Sequence, residues 1–239
     1  MKGGGGTQAV ILAGGLGVRL RPLTLEVPKP MVPVAGKPYL EHQLEELARQ
    51  RIRDVVLLTG YLGEQIEQYF GDGAALGLSI RYSREPEPLG TGGALVRALP
   101  LLARDFVLIY GDSYLPMDYS LPIRRLREAG CLGVLVIYDN RYGDTGVANN
   151  IAVAPDGRIV RYEKGAPEAA GLTHVDAGVA ALRRSVLEEW NGPPKFSLER
   201  EIYTELIRRG ELHGLEVRQR FYDIGTPERL RIVEEFFRA

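Results

Sequence analysis

The sequence predicts an α/β fold built on a mostly parallel sheet with helices on both faces. Three observations carry that expectation. Short apolar strands alternate with helix-period segments through the first half, a glycine-rich turn follows the first strand, and the segments after Gly130 change to a mixed set of strands. With 239 residues, 45% hydrophobic and 26% charged, the chain can bury one sizeable core. A single domain over residues 9–239 is therefore expected, with residues 1–8 as a flexible, glycine-rich lead-in.

Ala9 to Ala13 is a short apolar run, and beyond the turn Gly36 to Arg51 places Leu40, Leu44, Leu47 and Ala48 on one helical face. The alternation continues as strand Asp54 to Thr59, helix Leu62 to Phe70, strand Ser79 to Ser83, helix Thr91 to Leu102 and strand Phe106 to Tyr110. Past Gly130, Leu132 to Tyr138 and Ile151 to Tyr162 read as strands, the latter turned back by Pro155, Asp156 and Gly157. Val175 to Leu182 reads as another strand and Ser197 to Arg209 as a helix capped by Ser197; a last helix starts at Pro227 behind the cap Thr226. This divides the domain into halves of about 9–131 and 132–239.

Charge and cysteine usage exclude several classes. A formal net charge of -1 gives no long-range basic field, so neither nucleic acid nor an anionic membrane is an expected partner. No apolar run approaches the roughly 20 residues of a membrane helix. Met1 to Thr7 is a glycine run rather than a signal peptide, and the cytoplasm is the expected location. Cys131 is the one cysteine, which excludes internal disulfides and thiol metal clusters; it reads as core, inside an apolar strand. His42, His174 and His213 show no metal-ligand spacing, and no Ser-His-Asp arrangement is visible, so a covalent nucleophile is not expected.

An anion must then be met locally, and the densest signal is a local one. Leu12-Ala13-Gly14-Gly15-Leu16-Gly17-Val18-Arg19-Leu20-Arg21-Pro22-Leu23-Thr24 precedes Pro28-Lys29-Pro30. Glycines after a first strand let backbone N–H groups approach phosphate oxygens, and Arg19 and Lys29 bring the charge a polyphosphate needs. A tight turn without ligand is the plain alternative. A dinucleotide fingerprint would need glycine where Leu20 stands, and a P-loop would need Gly-Lys-Ser or Gly-Lys-Thr; neither is present.

Asp112 follows an apolar strand and a glycine, at the sheet edge where parallel folds bind ligands. Asp223 follows Phe221 and Tyr222 at another strand end. Two carboxylates with waters suit octahedral Mg2+, although either aspartate alone reads more often as a turn-former or helix cap. Glu163–Lys164 reads by itself as a solvated charge pair.

The glycine-rich segment with its Pro-Lys-Pro resembles the signature of the sugar-1-phosphate nucleotidylyltransferases. The likeness extends to Pro88-Leu89-Gly90-Thr91-Gly92-Gly93-Ala94, Gly111-Asp112, Glu163-Lys164, Asp176-Ala177-Gly178 and Asp223-Ile224-Gly225-Thr226-Pro227, nearly the whole chain. It implies the nucleotide-diphosphosugar transferase fold, a mostly parallel Rossmann-like sheet with an added mixed-strand acceptor region. It implies transfer from a nucleoside triphosphate to a sugar 1-phosphate, most like the guanylyltransferases of manno-configured sugars, including D-glycero-D-manno-heptose 1-phosphate.

The resemblance also distributes roles. Leu12, Ala13, Gly14, Gly15, Gly17, Gly90 and Thr91 would hold the nucleotide, with Arg19 and Lys29 on its phosphates and Mg2+ on Asp112 and Asp223. Arg19, Lys29, Asp112 and Asp223 form the catalytic set. Gly146, Glu163, Lys164 and Asp176 would meet the sugar phosphate; the family usually has Asn-Ala-Gly where this chain has Asp176-Ala177-Gly178, and a carboxylate only accepts. Glu85 stands where thymidylyl relatives place a glutamine, and a carboxylate matches the two adjacent donors of guanine, which makes GTP the expected donor. A solvated loop acid is the alternative for Glu85.

The same residues leave open thymidylyl or uridylyl transfer to glucose 1-phosphate, cytidylyl transfer to a non-sugar phosphate, and a non-catalytic NDP-sugar-binding regulatory subunit. Acetyl transfer is not expected, since little chain follows the helix from Thr226. A homo-oligomer is left open.

Overall fold

In the computed structural model, which describes residues 6–163 and 171–238, the apolar runs assemble into one sheet. Its strands are β1 (Gln8–Leu12), β2 (Asp54–Thr59), β3 (Ser79–Arg84), β4 (Asp105–Tyr110), β5 (Gly133–Tyr138), β6 (Val175–Arg183) and β7 (Leu212–Val217). The spatial order is β3-β2-β1-β4-β6-β5-β7. β6 runs antiparallel to β4 and β5, while every other neighbouring pair is parallel.

Helices cover both faces because the central strands are apolar on both sides. Ala9, Ile11, Val55, Leu57, Val107 and Ile109 pack with Leu40, Leu44 and Leu47 of α1 (Tyr39–Arg49) and Ile66 of α2 (Gly63–Phe70). The alternate residues Val10, Val56, Leu58, Phe106 and Leu108 face the other way, toward Leu95 of α3 (Gly90–Arg97). Ile123 and Leu126 of α4 (Ser120–Ala129) join the first core, and Leu206 of α5 (Thr204–Arg208) joins the second. Among the described residues no helix is long and apolar enough to cross a membrane.

The strand order creates the binding crevice. From β1 the chain builds β2 and β3 on one side, then crosses to place β4 on the other, so the loops after β1 and β4 part at the carboxyl edge. There the Gly111 amide donates to the Leu12 carbonyl at 3.0 Å, which brings the two loop entrances together.

The structure corrects several element boundaries. α3 stops at Arg97 and a 3-10 turn, Leu99–Leu101, replaces the expected continuation, because Pro100 cannot extend the α-helical ladder. The helix after Ser197 opens as a π-helix, Leu198–Tyr203, before α5; the Ser197 hydroxyl accepts from the Arg200 amide at 3.2 Å. Cys131 lies in the turn ahead of β5 rather than inside a strand, buried, with its thiol donating to the Gly133 carbonyl.

α6 (Pro227–Arg238) begins at Pro227 as expected, and the Thr226 hydroxyl accepts from the Arg229 amide at 3.3 Å. Val233 is buried in a small separate core with Val34, Tyr39 and Tyr114, and Phe237 stacks on His42 at 3.8 Å. This seat fixes the segment that carries Asp223.

Candidate active site

Leu12, Ala13, Gly14, Gly15, Gly17, Arg19, Lys29, Glu85, Gly90 and Thr91 all line one cavity of about 370 Å³ at the crevice. Lys29 opens a 3-10 turn, Lys29–Met31, between Pro28 and Pro30, and these fixed backbone angles hold its side chain inward. Its Nζ lies 2.5 Å from Asp112 Oδ2, with the lysine side chain only 11% exposed. Arg19 sits on the turn Val18–Leu20 beyond Gly17, whose φ of 61° is left-handed.

Glu85 is not a solvated loop acid. It is half-buried in the cavity wall, and its Oε2 accepts from the Leu89 amide at 2.9 Å. A Cβ on Gly14 would meet Glu85 Oε1 at 2.8 Å, and one on Gly60 would meet it at 2.7 Å, so these two glycines make room for the Glu85 carboxylate. Burial raises the Glu85 carboxyl above its ordinary range, opposed by the Leu89 N–H and by Arg97.

The segment Gly90 to Gly93 has a structural task beside its place in the wall. Cβ atoms at Gly90 and Gly93 would lie 2.4 and 2.2 Å from the carbonyls of Phe196 and Pro194. Thr91 donates to Glu199 Oε2 at 2.6 Å and accepts from the Leu198 amide at 2.9 Å. The expected nucleotide contact of Thr91 thus belongs to a residue already turned toward the Phe196–Glu199 segment.

A second cavity, of about 400 Å³, shares Arg19, Tyr110 and Asp112 with the first and adds Gly146, Asp176, Asp223 and Arg229. Asp112 and Asp223 meet here through a two-stranded ribbon in which Asp223 pairs with Ser113; the Ile224 amide donates to the Asp112 carbonyl at 3.0 Å. Asp176 accepts from Tyr162 at 2.9 Å and from the Gly178 amide at 2.9 Å. Both partners are donors, which suits aspartate at this position. Burial pushes the Tyr162 hydroxyl far above its ordinary value, so it remains a donor.

Two predicted acceptor residues are arranged otherwise than expected. The Gly146 amide donates to Asp144 Oδ1 at 2.8 Å and is not presented to a sugar, although the residue lines the cavity. Glu163 is not among the residues lining either cavity; its carboxylate accepts from Arg161 at 2.5 Å, and its side chain is 41% exposed. The lysine next to it, Lys164, lies outside the described residues.

The structure adds residues that the sequence did not mark. Gln43 of α1, 1% exposed, donates to the carbonyls of Tyr110 at 3.0 Å and Ser113 at 2.6 Å, which pins the backbone on both sides of Asp112. Glu199, 6% exposed, accepts from Thr91, from Ser197 at 2.8 Å and from Tyr110 at 2.9 Å, tying the wall of the first cavity to a residue shared by both.

Asp112 and Asp223 offer only oxygen to a cation, a donor set that fits Mg2+. Among the described residues no group of three histidine, cysteine or acidic side chains gathers to hold a metal. Water and substrate phosphates would complete the coordination, as Mg2+ prefers.

The family model described as "Nucleotidyl transferase" matches residues 8–238. The chain belongs to that nucleotidyl transferase family. This nucleotidyltransferase is 36% identical over 227 residues to the mannose-1-phosphate guanylyltransferase of Mycobacterium tuberculosis, covering 92% of the chain and 62% of the relative. It is 34% identical over 223 residues to the D-glycero-alpha-D-manno-heptose 1-phosphate guanylyltransferase of Campylobacter jejuni, covering 92% of the chain and 96% of that protein. The chain therefore spans less than two thirds of the mannose relative and nearly all of the heptose one. The crystal structure of HddC from Yersinia pseudotuberculosis complexed with GMP-PN superposes with a TM-score of 0.81 at 28% identity, covering 97% of this chain and 99% of that one.

Proposed function

We propose that this nucleotidyltransferase moves guanylyl from GTP to a manno-configured sugar 1-phosphate, either mannose or manno-heptose 1-phosphate, releasing pyrophosphate and forming a GDP-sugar. The observation that carries the reading is the junction of the two cavities at Arg19, Tyr110 and Asp112, with Lys29 on Asp112. A donor in the first cavity and an acceptor in the second would meet there. The names of the relatives support guanylyl transfer to manno-configured sugars, and the half-buried Glu85 carboxylate in the first wall supports guanine. The gathering of Arg19, Lys29, Asp112 and Asp223 argues against a non-catalytic binding subunit.

In this reading residues 9–131 supply the donor site and 132–239 most of the acceptor site within one domain. An oxygen of the acceptor phosphate attacks the α-phosphorus in line, and the bond from that phosphorus to the bridging oxygen of pyrophosphate breaks. No proton is moved, because both the attacking phosphate and the leaving group are ionised. Arg19 and Lys29 hold the triphosphate and spread the charge that develops on pyrophosphate, so the chemistry rests on placement and electrostatics. Bound at Asp112 and Asp223, Mg2+ supplies Lewis-acid neutralisation at the phosphates. Lys164 takes the acceptor phosphate, and Asp176 orients the sugar side of the cavity. The single buried Cys131 accords with a reducing cytosol as its location.

The test is pyrophosphate release across GTP, dTTP, UTP, CTP and ATP with mannose 1-phosphate, manno-heptose 1-phosphate and glucose 1-phosphate, with and without chelator. GTP with a manno-configured acceptor should give the highest kcat/KM and lose it on chelation. A preference for dTTP or UTP with glucose 1-phosphate would overturn the assignment.

A further inference from the structure

Asp223 faces the acceptor cavity in the grip of an arginine. Nη1 of Arg229, the third residue of α6, donates to Asp223 Oδ1 at 2.8 Å and Oδ2 at 2.7 Å, and the Gly225 amide donates to Oδ1 at 2.7 Å. The side chains of Asp223 and Arg229 are 10% and 22% exposed. Arg229 thus binds its carboxylate through one terminal nitrogen, and among the described residues no acceptor engages its Nε or its other terminal nitrogen. Its backbone is fixed by Thr226 at the start of α6 and by the buried Val233 one turn on.

Gly225 shows what converges on this point. A Cβ there would lie 2.5 Å from Asp223 Oδ1, 3.3 Å from Arg229 Nη1 and 3.4 Å from Arg19 Nη2. Two guanidinium groups therefore flank Gly225 at the seam of the cavities, Arg229 paired with Asp223 and Arg19 beside it, since Gly225 lines the first cavity, Arg229 the second and Arg19 both. Lys29 is matched by Asp112 and Arg229 by Asp223, so among the described residues the charge of Arg19 is left at the seam for an incoming anion, with the outer N–H edge of Arg229 beside it. Guanidinium presents a planar pair of donors that fits phosphate oxygens.

We infer that Arg229 is an acceptor-binding residue: while Nη1 holds Asp223, its remaining N–H edge takes the phosphate of the sugar 1-phosphate and holds it at the seam for attack. This rests on the guanylyl transfer proposed above. A clamp on Asp223 alone is the competing role, and the two differ kinetically. Loss of a clamp disturbs Asp223, lowering kcat and weakening Mg2+ activation with no selective effect on the acceptor. Loss of a phosphate contact raises the acceptor KM selectively.

Arg229→Ala and Arg229→Lys are assayed as full chains with GTP and α-D-mannose 1-phosphate, after circular dichroism confirms folding. The expected result for Arg229→Ala is a rise of about ten- to a hundredfold in KM for mannose 1-phosphate, with KM for GTP moving less than about threefold. Arg229→Lys keeps the charge but loses the fork, so its acceptor KM falls between those of wild type and Arg229→Ala. If Arg229→Ala does not fold, Arg229→Lys carries the test through the same selective rise. An acceptor KM within about threefold of wild type, or an equal rise in both KM values, overturns the inference. A wild-type chain that transfers guanylyl to no sugar 1-phosphate overturns the proposed function instead.

Discussion

Glu85→Gln probes base selection with little disturbance of shape. Glutamine is isosteric, and its carbonyl oxygen can still accept from the Leu89 amide that now donates to Glu85 at 2.9 Å. The other terminal atom changes from acceptor to donor. Guanine presents N1–H and the N2 amino group side by side, so the variant loses one charge-assisted hydrogen bond, worth about 1.5–3 kcal/mol. We expect kcat/KM for GTP to fall about ten- to a hundredfold, while dTTP and UTP, with a donor beside carbonyls, hold or gain. The assay is pyrophosphate release with each triphosphate at one fixed acceptor. Run against pH, it gives a second reading. Burial raises the Glu85 carboxyl, with the Leu89 amide and Arg97 opposing, and only the ionised form accepts both donors. Wild-type kcat/KM for GTP should therefore fall as pH drops through that raised value, and the step should vanish in Glu85→Gln. The folding sign is also fixed: a raised carboxyl binds its proton more tightly in the folded chain, so its contribution to stability is lost as pH rises through the raised value. Wild-type preference for dTTP or UTP, or unchanged selectivity in the variant, would refute the reasoning.

Four further substitutions test separate parts of the site. Asp112→Asn should lose turnover by a factor on the order of a hundred or more while the melting temperature stays close to wild type; near-normal turnover of the folded variant removes Asp112 from the metal site. Lys29→Ala should raise the KM for GTP more than that for the sugar 1-phosphate, and Lys164→Ala the reverse, each by about ten- to a hundredfold; equal effects on both substrates would dissolve the two-site map. Gly90→Ala forces a side chain onto a φ of 76° with its Cβ 2.4 Å from the Phe196 carbonyl. The left-handed penalty of about 1–2 kcal/mol and overpacking of about 1–3 kcal/mol should lower the melting temperature by about 5 °C or more, and an unchanged melting curve would show that this contact relaxes freely.

The wall of the first cavity was legible because its signals are local. Glycines, prolines and cations after the first strand fall within a few residues of one another, so Gly14, Arg19 and Lys29 could be placed on one loop from the sequence alone. Strand and helix alternation gave the first half of the sheet for the same reason. β7 was missed because His213, Gly214 and Glu216 interrupt its apolar run, as an edge strand allows. α4 was missed because Pro122 falls within its first turn, where proline is tolerated. Gln43 and Glu199 could not be read at all, since Gln43 reaches carbonyls 67 and 70 positions away and Glu199 meets a threonine 108 positions away. The wall of the second cavity was read least well. Gly146 and Glu163 are of the expected types, but Asp144 and Arg161, two residues distant in each case, engage the groups expected to face the sugar.

The most direct test of the account follows the α-phosphate. GTP labelled at the α-phosphate and, separately, at the γ-phosphate is incubated with the full chain, Mg2+ and mannose or manno-heptose 1-phosphate, and the products are separated. The account predicts that the α-label appears in the GDP-sugar and the γ-label in pyrophosphate, in equal amounts. Transfer of the γ-label to the sugar, or release of the α-label as GMP or GDP without a sugar nucleotide, would contradict nucleotidyl transfer at this site.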